Sequence, residues 1–256
     1  MNIKQLLAIA KVTPNPKLDQ YFLHDDIILN EEVELAKLTK KDVVLEVGAG
    51  IGNLTILVSK RAQVIAVEKD YAFSHVLKNM PNTQVVLGDA LEFLESLRGK
   101  NNQKEGIGMD SKKPAKPSSN GTPFNKIVSN IPYSLSQRLT LEFFRHKWEI
   151  VVMIVQKEFA EKLVSKERLG LVMSELADIK IIKTVHANAF YPTAVPSSIV
   201  VMKQKKLLDD GFWSFVSGLK PNKNVSKYSK AGKFGDKKVH QLTLAELKEL
   251  YRISQK

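Results

Sequence analysis

Asn130-Ile131-Pro132-Tyr133 is a short turn that offers an amide, a free main-chain carbonyl and an aromatic ring directly after an apolar run. The amide oxygen and a neighbouring carbonyl can accept from the two N–H bonds of an exocyclic amine, while Tyr133 stacks on the ring that carries it. Held this way, the amine's lone pair is aimed at an electrophile. The four residues alone are equally consistent with a Pro-containing turn in which Asn caps and Tyr packs.

A second constellation lies upstream. Residues 42–47 read as an apolar strand, Gly48-Ala49-Gly50-Ile51-Gly52 follow, and residues 53–60 have a helical pattern. Strand, glycine turn and helix start form a nucleotide-binding layout, because glycines let the backbone approach a ligand closely and the helix N–H groups favour its polar groups. The third Gly falls two positions after the second rather than three. That spacing fits a methyltransferase-type G-x-G-x-G loop better than a dinucleotide site. The run 64–67 ends in Glu68, twenty positions after Gly48, where an acid can accept from both ribose hydroxyls. The run 84–87 leads to Gly88-Asp89, whose acid can accept from an adenine amino group. Singly, each acid also fits a strand end or an N-cap.

Chain-wide composition narrows the classes. A chain of 256 residues can bury a substantial core. It has no cysteine, and its five histidines, at 24, 75, 146, 186 and 240, lack ligand spacing, so neither a disulfide framework nor a metal centre is expected. The N-terminal apolar run spans only residues 6–10, far short of the roughly 20 residues that cross a bilayer. The protein therefore reads as soluble and cytoplasmic, and a monomer is expected. Its formal charge is +12, and residues 203–256 hold thirteen Lys or Arg against five Asp or Glu, a net of +8. Such a segment suits a phosphate backbone, or simply a solvated lysine-rich surface.

These groups need a scaffold that brings several βα turns to one edge. Strand-like runs at 42–47, 64–67, 84–87, 124–129, 149–155, 179–186 and 197–202 alternate with helical ones at 53–60, 135–145, 157–165 and 171–177. This predicts a Rossmann-like α/β fold, a mostly parallel seven-stranded sheet with helices on both faces, the last two strands being antiparallel neighbours. Residues 99–123 are rich in Lys, Asn, Ser, Gly and Pro, and read as a flexible insertion. Their composition favours a plain disordered loop over an RNA contact through Lys112, Lys113 and Lys116. Helical patterns at 208–219 and 244–253, the latter opened by a Thr243/Glu246 capping box, suggest a small module. The expected division is 1–204 and a basic helical domain at 205–256.

The chain resembles the KsgA-type ribosomal RNA adenine N6-dimethyltransferases, in their archaeal form, over nearly its whole length. Asp19-Gln20-Tyr21-Phe22-Leu23 is similar to the family's G-Q-N/H-F-L element, with Asp19 and Tyr21 departing from it. Val44-Leu45-Glu46-Val47-Gly48-Ala49-Gly50-Ile51-Gly52-Asn53-Leu54-Thr55 follows its cofactor loop, and Asn130-Ile131-Pro132-Tyr133 its catalytic turn. Val155-Gln156-Lys157-Glu158-Phe159-Ala160-Glu161-Lys162-Leu163 resembles a further family segment. Phe190 and Pro192 keep part of its F-x-P-x-P-x-V-x-S element, which Ala194 and Pro196 disturb.

The resemblance implies a class I enzyme using S-adenosylmethionine, with cofactor contacts at Tyr21, Leu23, Gly48, Gly50, Glu68, Lys69, Asp89, Ala90 and Asn130. It implies catalytic roles for Asn130, Ile131, Pro132, Tyr133 and Phe190, the last stacking on the far face of the target base. The implied reaction is dimethylation of two adjacent adenosines in small-subunit rRNA within a pre-ribosomal particle. Two alternatives stand beside it: a large-subunit rRNA methyltransferase of the resistance type, whose motif has Phe where Tyr133 stands, and a non-catalytic RNA-binding assembly factor.

Overall fold

Val43–Val47 is buried at every position, the pattern of a strand covered on both faces. In the computed structural model, which describes residues 3–98, 108–109, 122–228, 234 and 237–255, that strand lies near the centre of an eight-stranded sheet. The first half of the chain runs α1 (Ile3–Ala10), β1 (Phe22–Leu23), α2 (Asp26–Leu35), β2 (Val43–Val47), α3 (Asn53–Ser59), β3 (Gln63–Glu68), α4 (Ser74–Leu77), β4 (Thr83–Leu87) and α5 (Ala90–Arg98). Next come β5 (Gly108–Met109), β6 (Lys126–Asn130), α6 (Ser136–Phe143), β7 (Ile150–Gln156), α7 (Lys157–Leu163) and α8 (Arg168–Leu176). The remainder comprises β8 (Ala177–Val185), β9 (Phe190–Tyr191), β10 (Ser197–Gln204), α9 (Asp210–Gly218) and α10 (Leu244–Ser254).

The sheet order is β5-β4-β3-β2-β6-β7-β10-β8. Strands β4, β3, β2, β6 and β7 are parallel, and β10 runs antiparallel to both β7 and β8. All seven expected strands are present, including the antiparallel pair. Gly108–Met109 adds an eighth, pairing antiparallel to β4, so the expected insertion contributes an edge strand. Lys112, Lys113 and Lys116 lie outside the described residues. Helices α1, α2, α4 and α5 went unforeseen, as did a two-stranded sheet joining Phe22 to Tyr191 and Leu23 to Phe190.

One apolar cluster fills each face. Leu45, Val67, Ile127 and Val151 point to the side covered by α5, α6 and α8, where Phe212, Val216, Leu247 and Leu250 of the C-terminal helices join the same cluster. Val44, Ala66, Val128 and Val152 point to the other side, against Leu7 of α1, Leu29 and Val33 of α2, and Leu54 of α3. Each fully buried Leu or Ile contributes about 1.5–3 kcal/mol of transfer free energy, so both clusters anchor the strands against sliding. Polar contacts tie the C-terminal helices down further: Arg145 pairs with Asp210, Lys206 and Lys248 with Glu175. The Thr243/Glu246 capping box forms as expected. No helix among the described residues is long and apolar enough to cross a membrane.

Candidate active site

Side-chain alternation explains how the polar groups converge. Glu46 shares a face of β2 with Val44, Glu68 a face of β3 with Ala66, and Asn130 a face of β6 with Val128. All three strands are parallel neighbours, so these residues emerge on one side of the sheet at its carboxyl edge. There a cleft of about 770 Å³ opens, lined by Tyr21, Leu23, Glu46, Gly48, Gly50, Glu68, Lys69, Asp89, Ala90, Asn130 and Pro132 among others.

The glycine loop forms its floor. Gly48 and Gly50 adopt φ values of +71° and +53°, which most side chains avoid. A Cβ on Gly50 would stand 2.9 Å from the Phe22 ring, and one on Gly48 would meet Pro132 Cδ at 3.5 Å and the Asn130 carbonyl oxygen at 3.9 Å. Loop and Asn-Ile-Pro-Tyr turn are therefore in direct contact.

Glu68 is buried, and its carboxylate accepts from the Gly50 N–H at 2.8 Å and the Asp70 N–H at 2.7 Å. Each oxygen keeps a lone pair for a ligand hydroxyl. Burial pushes the Glu68 carboxyl above its ordinary value, against the pull of those backbone N–H groups. Asp89 accepts from the Leu91 N–H at 2.9 Å and from Lys69 Nζ at 3.1 Å. Burial raises the Asp89 carboxyl, but the Lys69 and Leu91 hydrogen bonds outweigh it and hold it below the usual range.

The turn after β6 is framed by rings. Tyr133 stacks on Tyr21 with centroids 5.9 Å apart, meets Phe190 edge-on at 6.5 Å, and shares a 2.8 Å hydrogen bond with Ser197 Oγ. Phe190 is buried and outside the cleft lining, and the Ile131 side chain belongs to the opposite apolar cluster. The Pro132 carbonyl accepts from the Leu135 N–H at 3.1 Å. The two departures from the family element both touch this turn: Tyr21 through its ring, and Asp19, at φ +58°, by accepting from the Ser134 N–H at 3.0 Å. Gln20 bridges to Asp70 at 2.7 Å, so residues 19–21 strap the two sides of the cleft together.

Sequence reasoning missed Glu32 of α2, which is fully buried against Asn130. With the amide oriented by its neighbours, the Asn130 nitrogen lies 3.2 Å from Glu32 Oε1 and 3.3 Å from Oε2. Burial and the nearby Glu46 push the Glu32 carboxyl well above its ordinary value, although the Asn130 hydrogen bond pulls it down. Burial likewise raises Glu46, to about 8. The available signal was an acid at helical spacing from Ile28 and Leu29, on a stripe that should be apolar.

The profile of the ribosomal RNA adenine dimethylase family matches residues 12–217. The chain belongs to this family. A probable ribosomal RNA small subunit methyltransferase A of Thermococcus onnurineus is 30% identical, the match covering 96% of this chain and 94% of the relative. Its counterpart in Pyrococcus abyssi is 32% identical over 78% of this chain and 69% of that one. Among solved structures, a dimethyladenosine transferase from Plasmodium falciparum shares the fold, with a TM-score of 0.64 and 21% identity over 90% of this chain and 95% of that one.

The dimethylase is an S-adenosylmethionine-dependent methyltransferase. Its cleft fits that donor: a glycine floor so closely packed that a Cβ at Gly50 would collide with Phe22, and a buried acid with lone pairs free for ribose hydroxyls. Asp89 adds a carboxylate held in its charged form.

Proposed function

We propose that this dimethylase transfers methyl groups to the N6 amines of two adjacent adenosines in small-subunit rRNA, within a pre-ribosomal particle, acting as a cytoplasmic monomer. The observation that carries the reading is the contact between the glycine floor and the Asn-Ile-Pro-Tyr turn, which sets a donor pocket and an amine-holding amide side by side. The relatives named for small-subunit rRNA support the choice of substrate.

When bound, the donor supplies a methyl group on a sulfonium that needs no further activation. Glu68 would hold its ribose and Asp89 its adenine amine, with Tyr21, Leu23, Gly48, Gly50, Lys69 and Ala90 lining the site. Asn130 Oδ1 and the Ile131 carbonyl would accept the N–H bonds of the target amine, since the Pro132 carbonyl is engaged within the turn. Those acceptors favour a pyramidal nitrogen and stabilise the positive charge that develops on it. Tyr133 would stack on the flipped-out base, with the buried Phe190 bracing Tyr133 from behind. Alignment can supply about 7–11 kcal/mol of barrier reduction, so no dedicated general base is required.

We assign transfer to residues 1–204 and RNA docking to the basic segment 205–256. Incubating the protein and labelled donor with isolated small subunits, large subunits and naked rRNA tests the proposal. Dimethyladenosine confined to small-subunit RNA is the expected product. Label in large-subunit RNA, or RNA binding without transfer, would move the protein to one of the alternatives.

A further inference from the structure

Glu32 is a charge-bearing side chain with no exposed surface, and no ion pair with a basic group engages it among the described residues. Burying a carboxylate without a cation is costly, and packing alone would be served better by an apolar residue. Its neighbours do not relieve it: Glu46 on β2 adds a like charge, and Glu68 on β3 stands beyond Glu46. What Glu32 does touch is the amide that the proposed function relies on, through both carboxylate oxygens.

An asparagine side chain is nearly symmetric in shape but not in chemistry. Turned one way it offers an oxygen that accepts; turned the other it offers an NH2 that donates. Only the first can receive an N–H bond from a target amine. We propose that Glu32 is a positioning residue for the transfer: its ionised carboxylate draws the Asn130 NH2 group to itself and leaves the amide oxygen for the cleft. This rests on the methyl-transfer reading and deepens it. The NH2 group cannot donate to Glu32 and point into the cleft at once, because the amide's oxygen and nitrogen diverge. A protonated Glu32 has an O–H that can donate to the amide oxygen, and the orientation is then no longer set.

Burial and Glu46 hold the Glu32 carboxyl well above its ordinary value, so its ionised fraction grows as pH rises. Turnover should therefore increase with pH and decline as pH falls through the Glu32 titration. Glu46 is raised as well, to about 8, so Glu46→Gln is the control that separates the two.

The test measures single-turnover rates on small-subunit particles between about pH 6 and 9, with donor affinity from calorimetry, for the wild type, Glu32→Leu, Glu32→Gln, Asn130→Ala and the Glu32→Leu/Asn130→Ala double variant. Glu32→Leu should slow transfer about 10- to 100-fold while changing donor affinity less than about twofold. Glu32→Gln should recover part of the rate and lose the pH limb that Glu46→Gln retains. In the Asn130→Ala background, Glu32→Leu should cost less than about twofold, because its effect runs through the missing amide. Additive losses, equal losses in rate and donor affinity, or an unchanged rate in Glu32→Leu would overturn the proposal. Thermal unfolding of each variant shows whether a lost rate reflects lost fold, and Glu32→Gln, which preserves shape, decides the matter if the Leu variant does not fold. Full transfer by Asn130→Ala would overturn both readings, whereas loss there with no effect at Glu32 overturns only this one.

Discussion

The two ends of strand β6 treat buried charge in opposite ways. At its start, Lys126 is buried and pairs with Asp42 at 3.0 Å, while the Asn125 amide and the Thr39 N–H also donate to that carboxylate at 2.8 and 2.6 Å. Burial raises the Asp42 carboxyl, but the Asn125, Thr39 and Lys126 hydrogen bonds outweigh it and hold it below the usual range. At the far end, Asn130 faces Glu32, near Glu46, with no cation at either carboxyl among the described residues and both pushed up. A folding scaffold compensates its buried charges. Beside the turn that would hold the target amine, Glu32 and Glu46 lie without such compensation, at a cost in stability.

The sharpest way to break this contrast is Asn130→Ala. It should lower transfer on the order of 10³-fold, about 4 kcal/mol, with donor affinity nearly unchanged. Weakened donor binding of the same size would place the amide on the donor side instead. At the other end, Lys126→Met strands Asp42 and should destabilise the fold by about 3 kcal/mol, read from denaturant midpoints. A loss below about 1 kcal/mol would mean that Asn125 and Thr39 suffice without the lysine.

The two ends should also respond to pH with opposite sign. Asp42, lowered in the folded state, contributes stability that is present above its ordinary value of 3.8 and lost on acidification below it. Glu46, raised from 4.5 to about 8, binds its proton more tightly when folded, so it erodes stability as pH climbs between those values. The ligand-free protein should thus be more stable near pH 6 than near pH 8, with a slope of at most about 1.4 kcal/mol per pH unit from this group. Glu46→Gln should flatten that slope, and an unaltered slope would assign it elsewhere.

Surface charge supplies the mildest comparison. Lys220, Lys223 and Lys227 are exposed, and replacing all three with Gln should leave stability within about 0.5 kcal/mol. If the basic segment docks RNA, the slope of log affinity against log salt should fall by about 1 for each lysine that meets a phosphate. An unchanged slope would detach this surface from the RNA.

Much of the molecule was legible in one dimension because the signals were local. Apolar runs such as 42–47 and 149–155 announce strands, the glycine loop announces a close backbone approach, and Thr243 with Glu246 announces a helix start. Helix α2 was hidden because Glu32 interrupts the apolar stripe of Ile28, Leu29 and Val33 that would have marked it. The strap at residues 19–21 was equally illegible: Asp19 and Tyr21 read only as departures from a pattern. Their partners, Ser134 and Tyr133, lie more than a hundred positions away.

By itself the amino-acid order determined seven strands of the main sheet, the glycine floor of the cleft and most of the groups beside it, since each is encoded within a turn or two of chain. Only the tertiary structure decided which carboxylates would lie without a cation and which way the Asn130 amide faces. Parallel pairing of β2, β3 and β6 and the docking of α2 against the same face of the sheet set distances between residues far apart in sequence. Desolvation, the force that perturbs those acids, exists only once the core has closed.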